Sequence, residues 1–446
     1  MNRFNEKLMK FTKNPSIFLL LGFLSVILIG TICLHNPYVT ADGTKPTFLD
    51  ALFTATSATC VTGLITQTTA TYWNFKGQII ILFLIQIGGL GIMTVASMYS
   101  IIAGRRIGLK QRMLIKEQFN TNTFGGLVKI MKYAFVSTLF FETLGALMLM
   151  TRFIPEFGMK GIWYSIFHSI SAFCNAGFDI FGNSLVDFRN DLVVNFTIMG
   201  LIIVGGLGFM VVNQLIVKRS IKKLNAHAKL ALTITAILIV FGFFWIYIVE
   251  SFNSFSFKHI PTSHRIIQSI FQSVTTRTAG FNTMDISTIR DTSAFLMIIL
   301  MFIGGSPAST AGGLKTTTIG VLLSATISSI KGESQTVMFK RRVSDDTVKK
   351  ALAMVITSLA IIFVIAFIMT ISDDFKFIDI LFETVSAYGT VGLSRGITAH
   401  LSHIGKILII FTMYIGRVGP LTMAYAFGRN KTQSKLSYPQ DNIMIG

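Results

Sequence analysis

Long hydrophobic stretches with almost no charge, separated by short polar segments, dominate this chain of 446 residues. Each stretch is on the order of 20 residues long, which is enough for a helix to cross the hydrocarbon core of a bilayer, roughly 30 Å thick. A further apolar stretch, from Ser293 to Ile330, is interrupted by glycine and polar residues. Together these stretches predict eight transmembrane helices. The uninterrupted ones are residues 16–34, 77–103, 133–151, 192–217, 230–249, 351–371 and 405–427.

The distribution of charge narrows the class of protein. Lys and Arg outnumber Asp and Glu by 39 to 20, which gives a formal net charge of +19. A nucleic-acid surface would need these basic residues on one continuous face, which the short loops between spans do not allow, so no nucleic-acid partner is expected. The basic residues instead occupy alternate segments, as the positive-inside rule requires, which predicts a multi-pass protein of the cell membrane with both termini in the cytoplasm. These segments are 1–13, 104–132, 218–229, 331–350 and 428–435.

Four of the remaining segments share one sequence pattern. Each begins with a short amphipathic run, continues with small or hydroxyl residues and reaches a glycine that is followed by Leu or Phe. The glycines recur at intervals of 114, 103 and 112 residues, and each lies between an odd and an even hydrophobic stretch. Such self-similarity is typical of an internally repeated fold. The four glycines are Gly63, Gly177, Gly280 and Gly392.

The second hydrophobic stretch of each unit carries its own recurring element, a glycine pair or a related glycine motif. Two elements that recur in the same order predict four pseudo-symmetric units of helix, pore loop and helix. We place the units at residues 1–103, 104–217, 218–330 and 331–446. The motifs are Gly88-Gly89, Gly205-Gly206, Gly304-Gly305 and Gly416-Arg417.

The amphipathic runs, about ten to twelve residues long, are too short to span a bilayer. They predict four re-entrant pore helices, each followed by an extended return, within an all-α integral membrane protein. Extended backbone at membrane depth is tolerated where it is buried in protein or lines a watery path. Four returns around one axis would present carbonyl oxygens to a dehydrated cation. Any one of these segments, taken alone, could instead be an external loop with a glycine at its turn.

At this level of detail the motifs resemble those of the Trk/Ktr/HKT superfamily, and most of all the bacterial Ktr membrane subunits. The resemblance implies potassium uptake, with a dependence on sodium in many members. It also implies a homodimer with one pore in each protomer, and a cytoplasmic ring of KtrA- or KtrC-type regulators that would bind ATP or ADP. The motifs are Thr276–Asn282, Asn175–Phe178, Gly389–Leu393, Gly304-Gly305-Ser306, Lys315-Thr316-Thr317 and Ile415–Pro420.

The resemblance assigns the ion-binding backbone to the residues around the four glycines. Glycine at all four positions favours K⁺ over Na⁺ as cargo. Arg277 is predicted to support the filter from behind, because a cation facing the path would repel the cargo. The predicted filter residues are Thr59, Cys60, Val61, Thr62 and Gly63; Cys174, Asn175, Ala176 and Gly177; Arg277, Thr278, Ala279 and Gly280; and Gly389, Thr390, Val391 and Gly392.

Residues 304–318 interrupt the sixth stretch and are the candidate gate. Pro307 and four glycines disfavour a continuous helix there, and a phosphate loop is excluded because Leu314 separates glycine from lysine. The resemblance implies an intramembrane loop beneath the filter that blocks or opens the path. A charge at such depth is usually partnered, so we predict that Arg417 holds this loop. The predicted gate residues are Gly304, Gly305, Ser306, Ser309, Thr310, Gly312, Gly313, Lys315 and Arg417.

A proton- or sodium-coupled symporter is the alternative mechanism. Tight coupling of cargo transport to H⁺ or Na⁺ needs ionisable groups along the ion path. The candidates for such groups are Glu142, Lys315 and Arg417. We expect Glu142 to satisfy a neighbouring polar group instead. The basic segments Lys218–Lys223 and Lys340–Arg342 could contact membrane lipid or the regulator, and the sequence leaves both open. The chain lacks the H-E-x-x-H and G-x-S-x-G motifs, so neither enzymatic activity nor a covalent cofactor is expected.

Overall fold

The computed structural model describes residues 15–92, 94–95, 98, 112–113, 127–253, 256–257, 260–420 and 422–423. Both termini, and the basic segments predicted at 1–13 and 428–435, lie outside this range. The predicted helical character is confirmed. Within the described residues, strands are limited to a small antiparallel hairpin, β1 (Val337–Met338) and β2 (Arg341–Arg342).

Each of the four units contains a long first helix, a short middle helix and a second helix. The units begin with α1 (Pro15–Leu34), α2 (Phe48–Cys60) and α3 (Phe75–Leu90), followed by α4 (Leu127–Phe157), α5 (Lys160–Phe173), α6 (Leu192–Leu207) and α7 (Phe209–Lys218). They continue with α8 (Ala226–Ser251), α9 (Thr262–Thr275), α10 (Asp291–Phe302) and α11 (Thr316–Ile330), and end with α12 (Asp345–Ser372), α13 (Phe377–Gly389) and α14 (His403–Val418). Single turns lie at Pro37–Val39, Thr69–Tyr72, Ile221–Lys223, Ile286–Thr288 and Thr398–His400.

The first helices, α1, α4, α8 and α12, form the outside of the bundle. Each is apolar and long enough to cross a membrane. They expose large hydrophobic side chains such as Ile32, Phe140 and Phe367. The middle helices bury the phenylalanines at matched positions, Phe53, Phe167, Phe271 and Phe382, which have no exposed surface. An apolar exterior around a buried centre is the arrangement that a lipid environment favours.

The second helices are shorter than the hydrophobic stretches that predicted them. α3 ends at Leu90 and α14 at Val418, and the stretch predicted as one helix over 192–217 is bent by 100° between α6 and α7. The cause is one glycine in each of the first, second and fourth units, with φ of 82° at Gly91, 90° at Gly208 and 92° at Gly419. Side chains disfavour this backbone conformation, so glycine permits the break. By length and composition, the described helices include four membrane-spanning candidates, or five if α6 and α7 form one span.

Polar contacts join each unit to the next. The contacts are spread around the whole bundle, and the last one returns from the fourth unit to the first, so the units form a closed cycle. The contacts are Trp163 Nε1 to Gln78 Oε1 (2.9 Å), Leu185 N to Asn282 O (3.0 Å), Arg395 to Asp291 (2.8 Å) and Lys406 to Asp50 (3.1 Å).

Candidate ion-binding site

The chain reverses direction where each middle helix ends. In every unit the residue two positions before the recurring glycine has a left-handed backbone, and the glycine itself has a positive φ of 68° to 92°. Left-handed residues end helices because they turn the chain away from the helix axis. The four left-handed residues are Val61, Asn175, Thr278 and Thr390, with φ of 59°, 59°, 66° and 50°.

The recurring glycines form a ring in which each one packs against the next unit. A methyl group added at any of them would collide with a backbone carbonyl oxygen of the neighbouring segment, so no other residue fits without a shift. Because the fourth glycine contacts the first segment, the ring is closed. The added methyl carbon would lie 2.5 Å from Ala176 O at Gly63, 2.7 Å from Ala279 O at Gly177, 2.6 Å from Val391 O at Gly280 and 2.1 Å from Thr62 O at Gly392.

All four middle helices have their C-terminal ends at this glycine ring. Each helix ends within five residues of its ring glycine. The carbonyl end of a helix carries a partial negative charge, so four such ends favour a cation at their meeting point. Asp50 and Asp379 lie in the first turn of their helices, and each is paired with a basic side chain, Lys406 at 3.1 Å and Arg395 at 2.9 Å. Sequence reasoning found the acids but not these partners.

One hydroxyl group in each unit joins the segment around the ring glycine to the middle helix before it, and these hydroxyls were not predicted as site residues. In the first and fourth units the hydroxyl accepts a hydrogen bond from the ring glycine: Gly63 N donates to Ser57 Oγ (3.0 Å), and Gly392 N donates to Ser386 Oγ (3.1 Å). In the second and third units the hydroxyl donates to the carbonyl after the glycine. These bonds are Ser171 Oγ to Phe178 O (2.8 Å) and Thr275 Oγ1 to Phe281 O (2.5 Å). The sequence signal is a Ser or Thr five or six residues before each glycine.

The loop between α10 and α11 lies against the glycine motifs of other units. Its backbone N–H groups donate to carbonyl oxygens in α6 and α14, and Ile303 pairs with Leu314 across the loop. The predicted loop, 304–318, is too long at its end, because Thr316 begins α11. The bonds are Ser306 N to Gly206 O (2.9 Å), Thr310 N to Gly205 O (3.3 Å) and Gly313 N to Gly416 O (3.3 Å).

Two arginines contact this loop. The Arg417 guanidinium donates to Thr310 O within the loop and to Gly88 O in α3. It therefore bridges the loop to the first unit. Buried Arg277 donates from Nη2 to Gly304 O at 2.9 Å, at the start of the loop. The Arg277 side chain thus reaches the loop from the segment that precedes Gly280 in the third unit.

The remaining ionisable candidates are held by nearby polar groups. Lys315 Nζ donates to Ala311 O (2.8 Å) and to Gly312 O (3.2 Å) within its own loop. Glu142 is buried and accepts a hydrogen bond from Gln86 Nε2 at 3.2 Å. The thiol of Cys174 lies 3.7 Å from the same carboxylate. Each group therefore has a local partner.

Buried Glu383 in α13 was not predicted as a site residue. Its carboxylate accepts hydrogen bonds from Ser394 Oγ (2.8 Å) and from Thr398, and so fixes the segment that follows Gly392. Hydrophobic patterning could not single it out, because Phe53, Phe167, Phe271 and Phe382 are followed by four different polar residues, Thr54, His168, Gln272 and Glu383.

Comparisons with known proteins agree with a membrane transporter of cations. The profile described as "TrkH: Cation transport protein" matches residues 8–437. Ktr system potassium uptake protein B of Bacillus subtilis is 41% identical over 444 residues, which cover 99% of each chain. Potassium/sodium uptake protein NtpJ of Enterococcus hirae is 40% identical over 432 residues, 95% of this chain and 96% of that protein.

A crystal structure of the potassium transporter TrkH from Vibrio parahaemolyticus has the same fold, with a TM-score of 0.73 over 91% of this chain and 84% of that one, at 18% identity. The two chains thus share one fold. The chain belongs to the TrkH family of cation transport proteins. Its resemblance to the Ktr membrane subunits within that family is confirmed.

Proposed function

We propose that the chain carries K⁺ into the cell as the ion-translocating subunit of a Ktr-type system. The observation that carries this proposal is the closed glycine ring at the meeting point of four pore helices. Backbone carbonyl oxygens at such a point replace the hydration shell of a cation, and four helix ends add negative potential. The names of the relatives, potassium uptake proteins of the Ktr systems and the potassium/sodium uptake protein NtpJ, support K⁺ as cargo and an involvement of Na⁺.

In this proposal each of the four units contributes two membrane spans and one re-entrant pore helix. The second spans are the broken helices, which gives eight spans in total within the four predicted units. The filter residues are those predicted around the four ring glycines. The apolar outer faces of α1, α4, α8 and α12 support contact with lipid.

The loop after α10 is the proposed gate. It contacts α6, α14 and the side chains of Arg277 and Arg417, and Arg417 joins it to α3, so it is linked to elements of all four units. Displacing it would break several hydrogen bonds at once, which suits an element with two discrete positions. We assign the signal that displaces it to a cytoplasmic nucleotide-binding ring of KtrA or KtrC type, and we place the chain in a homodimer with one pore in each protomer.

The contacts of the ionisable groups favour a gated pore over a coupled symporter. Coupling to H⁺ or Na⁺ needs a group that changes partner along the path. Lys315 and Arg417 donate to backbone carbonyls around the loop, and Glu142 is held by Gln86. These contacts suit groups that hold a gate in place.

The test is growth of a bacterium that lacks its own potassium uptake, on limiting K⁺, with and without Na⁺. We expect the chain with a compatible regulator to restore growth, and Gly280→Ala to abolish rescue, because a methyl group there would lie 2.6 Å from Val391 O. The control is Gly200→Ala in α6, where the added methyl group meets no atom within 4 Å. Absence of rescue by the well-expressed chain would overturn the proposal.

A further inference from the structure

The side chain of Asn175 joins three parts of the site. Its Nδ2 donates to Arg277 O, 3.2 Å away, and so links the filter segments of the second and third units. Its Oδ1 accepts a hydrogen bond from Thr310 Oγ1, also at 3.2 Å, in the loop after α10. Asn175 and Thr310 have no exposed surface, so water does not compete for these bonds.

Asn175 differs from its equivalents in the other units. All four occupy the left-handed position two residues before a ring glycine. Val61 has no polar atom in its side chain, and the hydroxyls of Thr278 and Thr390 are buried without a hydrogen-bond partner. Among these four positions, Asn175 alone links the filter to the loop by a side-chain hydrogen bond.

The surroundings of this contact are tightly packed. Gly205 packs directly against it: an added methyl group would lie 2.7 Å from Asn175 Oδ1, 3.0 Å from Thr310 Oγ1 and 2.1 Å from Phe173 O. The Thr310 hydroxyl also lies 3.2 Å from Phe173 O, at the end of the same pore helix. The second glycine motif therefore serves to bring the loop hydroxyl to the filter.

We infer that Asn175 couples the position of the loop to the ion affinity of the filter. This inference rests on the proposed gating role of the loop. With the loop in place, Thr310 fixes the Asn175 side chain, and Asn175 in turn fixes Arg277 O. The distance between the filter segments of the second and third units is therefore held at one value. When the loop leaves, Oδ1 loses its donor, and a buried acceptor without a partner is costly. The amide then rearranges and the spacing relaxes.

Such a link acts in both directions, because the coupling free energy between two sites is reciprocal. A fixed spacing discriminates between ions of different size better than a relaxed one. K⁺ bound in the filter therefore stabilises the loop in place, and Na⁺, which holds the filter less well, leaves the loop easier to displace. Asn175 is a positioning residue in this scheme, and the structure assigns it a role in sodium-dependent opening.

The test distinguishes this coupling from a simple latch, in which the Thr310–Asn175 bond would hold the loop in place without affecting ion binding in the filter. Thr310→Val removes the hydroxyl but keeps the side-chain shape and the carbonyl that Arg417 contacts. In purified resting protein without regulator, we expect the ratio of Na⁺ to K⁺ dissociation constants, measured by titration calorimetry, to fall roughly fivefold, the factor for one net hydrogen bond of about 1 kcal/mol. In liposomes, ⁸⁶Rb⁺ flux without regulator rises by a similar factor and no longer increases with added Na⁺. A simple latch would change the flux and leave the binding ratio unaltered.

Three further variants complete the experiment. Thr310→Ser keeps the hydroxyl and should restore the wild-type ratio. Thr326→Val is the matched control, because that exposed hydroxyl bonds only to Leu322 O in its own helix. Asn175→Ala should change the ratio as Thr310→Val does, and the double variant should add nothing further. Should Thr310→Val not fold, Thr310→Ala removes the same hydroxyl without requiring room for a second methyl group.

The outcomes are distinguishable from failure of the proposed function. Wild-type protein that neither binds K⁺ nor carries ⁸⁶Rb⁺ would overturn the proposed function itself. Wild-type protein that prefers K⁺, together with a Thr310→Val variant of the same ratio and the same response to Na⁺, would overturn only the coupling. Independent effects of Asn175→Ala and Thr310→Val would also count against it.

Discussion

Lys406 and Asp50 form an ion pair, 3.1 Å long, that joins the fourth unit back to the first. The side chains are 16% and 8% exposed, so both charges are largely removed from water. Asp50 also accepts a hydrogen bond from Thr47 Oγ1 at 2.7 Å, which fixes the start of α2. The pair therefore closes the cycle of units at the start of α2.

We expect Lys406→Met to destabilise the protein, because it leaves Asp50 with its charge buried and without a cation. Removing one partner of a buried pair costs about 3–5 kcal/mol, and the partial exposure here reduces that to roughly half. The measurement is thermal unfolding of purified protein in detergent. Asp345→Asn is the control, since its pair with Arg342 is 72% and 57% exposed and such pairs contribute about 0–1 kcal/mol. Equal melting temperatures for the two variants would contradict this assignment.

Arg417→Ala should raise ion flux when the regulator is inactive or absent. The substitution removes the guanidinium that joins the loop to α3, and charge-assisted hydrogen bonds contribute about 1.5–3 kcal/mol each. Flux of ⁸⁶Rb⁺ into liposomes should therefore increase at least about tenfold. Arg189→Ala, at an exposed arginine outside the site, is the control. Unchanged flux with normal expression would show that Arg417 does not restrain the loop.

Gly63→Ser should weaken discrimination against Na⁺. The new side chain would begin 2.5 Å from Ala176 O and would have to adopt a φ of 92°, so the first and second filter segments must move apart. We expect the ratio of ⁸⁶Rb⁺ to ²²Na⁺ flux to fall by about tenfold, the factor for about 1.4 kcal/mol. Gly200→Ser, at an unobstructed position of α6, should keep the wild-type ratio. If Gly63→Ser also keeps it, Gly63 does not line the filter.

Ser57→Ala should reduce selectivity without blocking flux. It removes the acceptor for Gly63 N, which is then a buried donor without a partner, at a cost of about 1–3 kcal/mol. The first filter segment should become less well fixed, and the K⁺ to Na⁺ flux ratio should decrease by about fivefold or more. Ser25→Ala is the matched control, because that exposed hydroxyl bonds only to Gly22 O in α1. A wild-type ratio in Ser57→Ala would mean that other contacts hold this segment.

The elements that repeat along the chain were predictable from the sequence. The amphipathic runs became α2, α5, α9 and α13, and the segments around Gly63, Gly177, Gly280 and Gly392 came together as one ring. Repetition made this possible, because four weak signals at matched positions reinforce one another. The interruption of the sixth stretch was equally visible, since Pro307 and the surrounding glycines disfavour a helix.

Features that depend on local backbone angles or on distant partners were not predictable. The breaks at Gly91, Gly208 and Gly419 depend on the backbone angle φ, about which the hydrophobic pattern carries no information. Because the residues beyond these glycines are also apolar, the pattern predicted that the helices continue. The Lys406–Asp50 pair joins residues 356 positions apart, and the Thr310–Asn175 bond spans 135. A single sequence carries no signal for such pairings. Sequence reasoning named Asn175 only for its backbone.

The glycine ring is made by one polypeptide, and this has a genetic consequence. In a ring built from identical subunits, every substitution appears on all sides at once. Here each of the four ring glycines has its own codon, so a single mutation alters one quarter of the ring and leaves the other three quarters unchanged. These glycines are Gly63, Gly177, Gly280 and Gly392. In the proposed function, selectivity can therefore change in small steps during evolution, and one unit is free to acquire a control element, the role that we propose for the loop after α10, while the other three units keep the ion path.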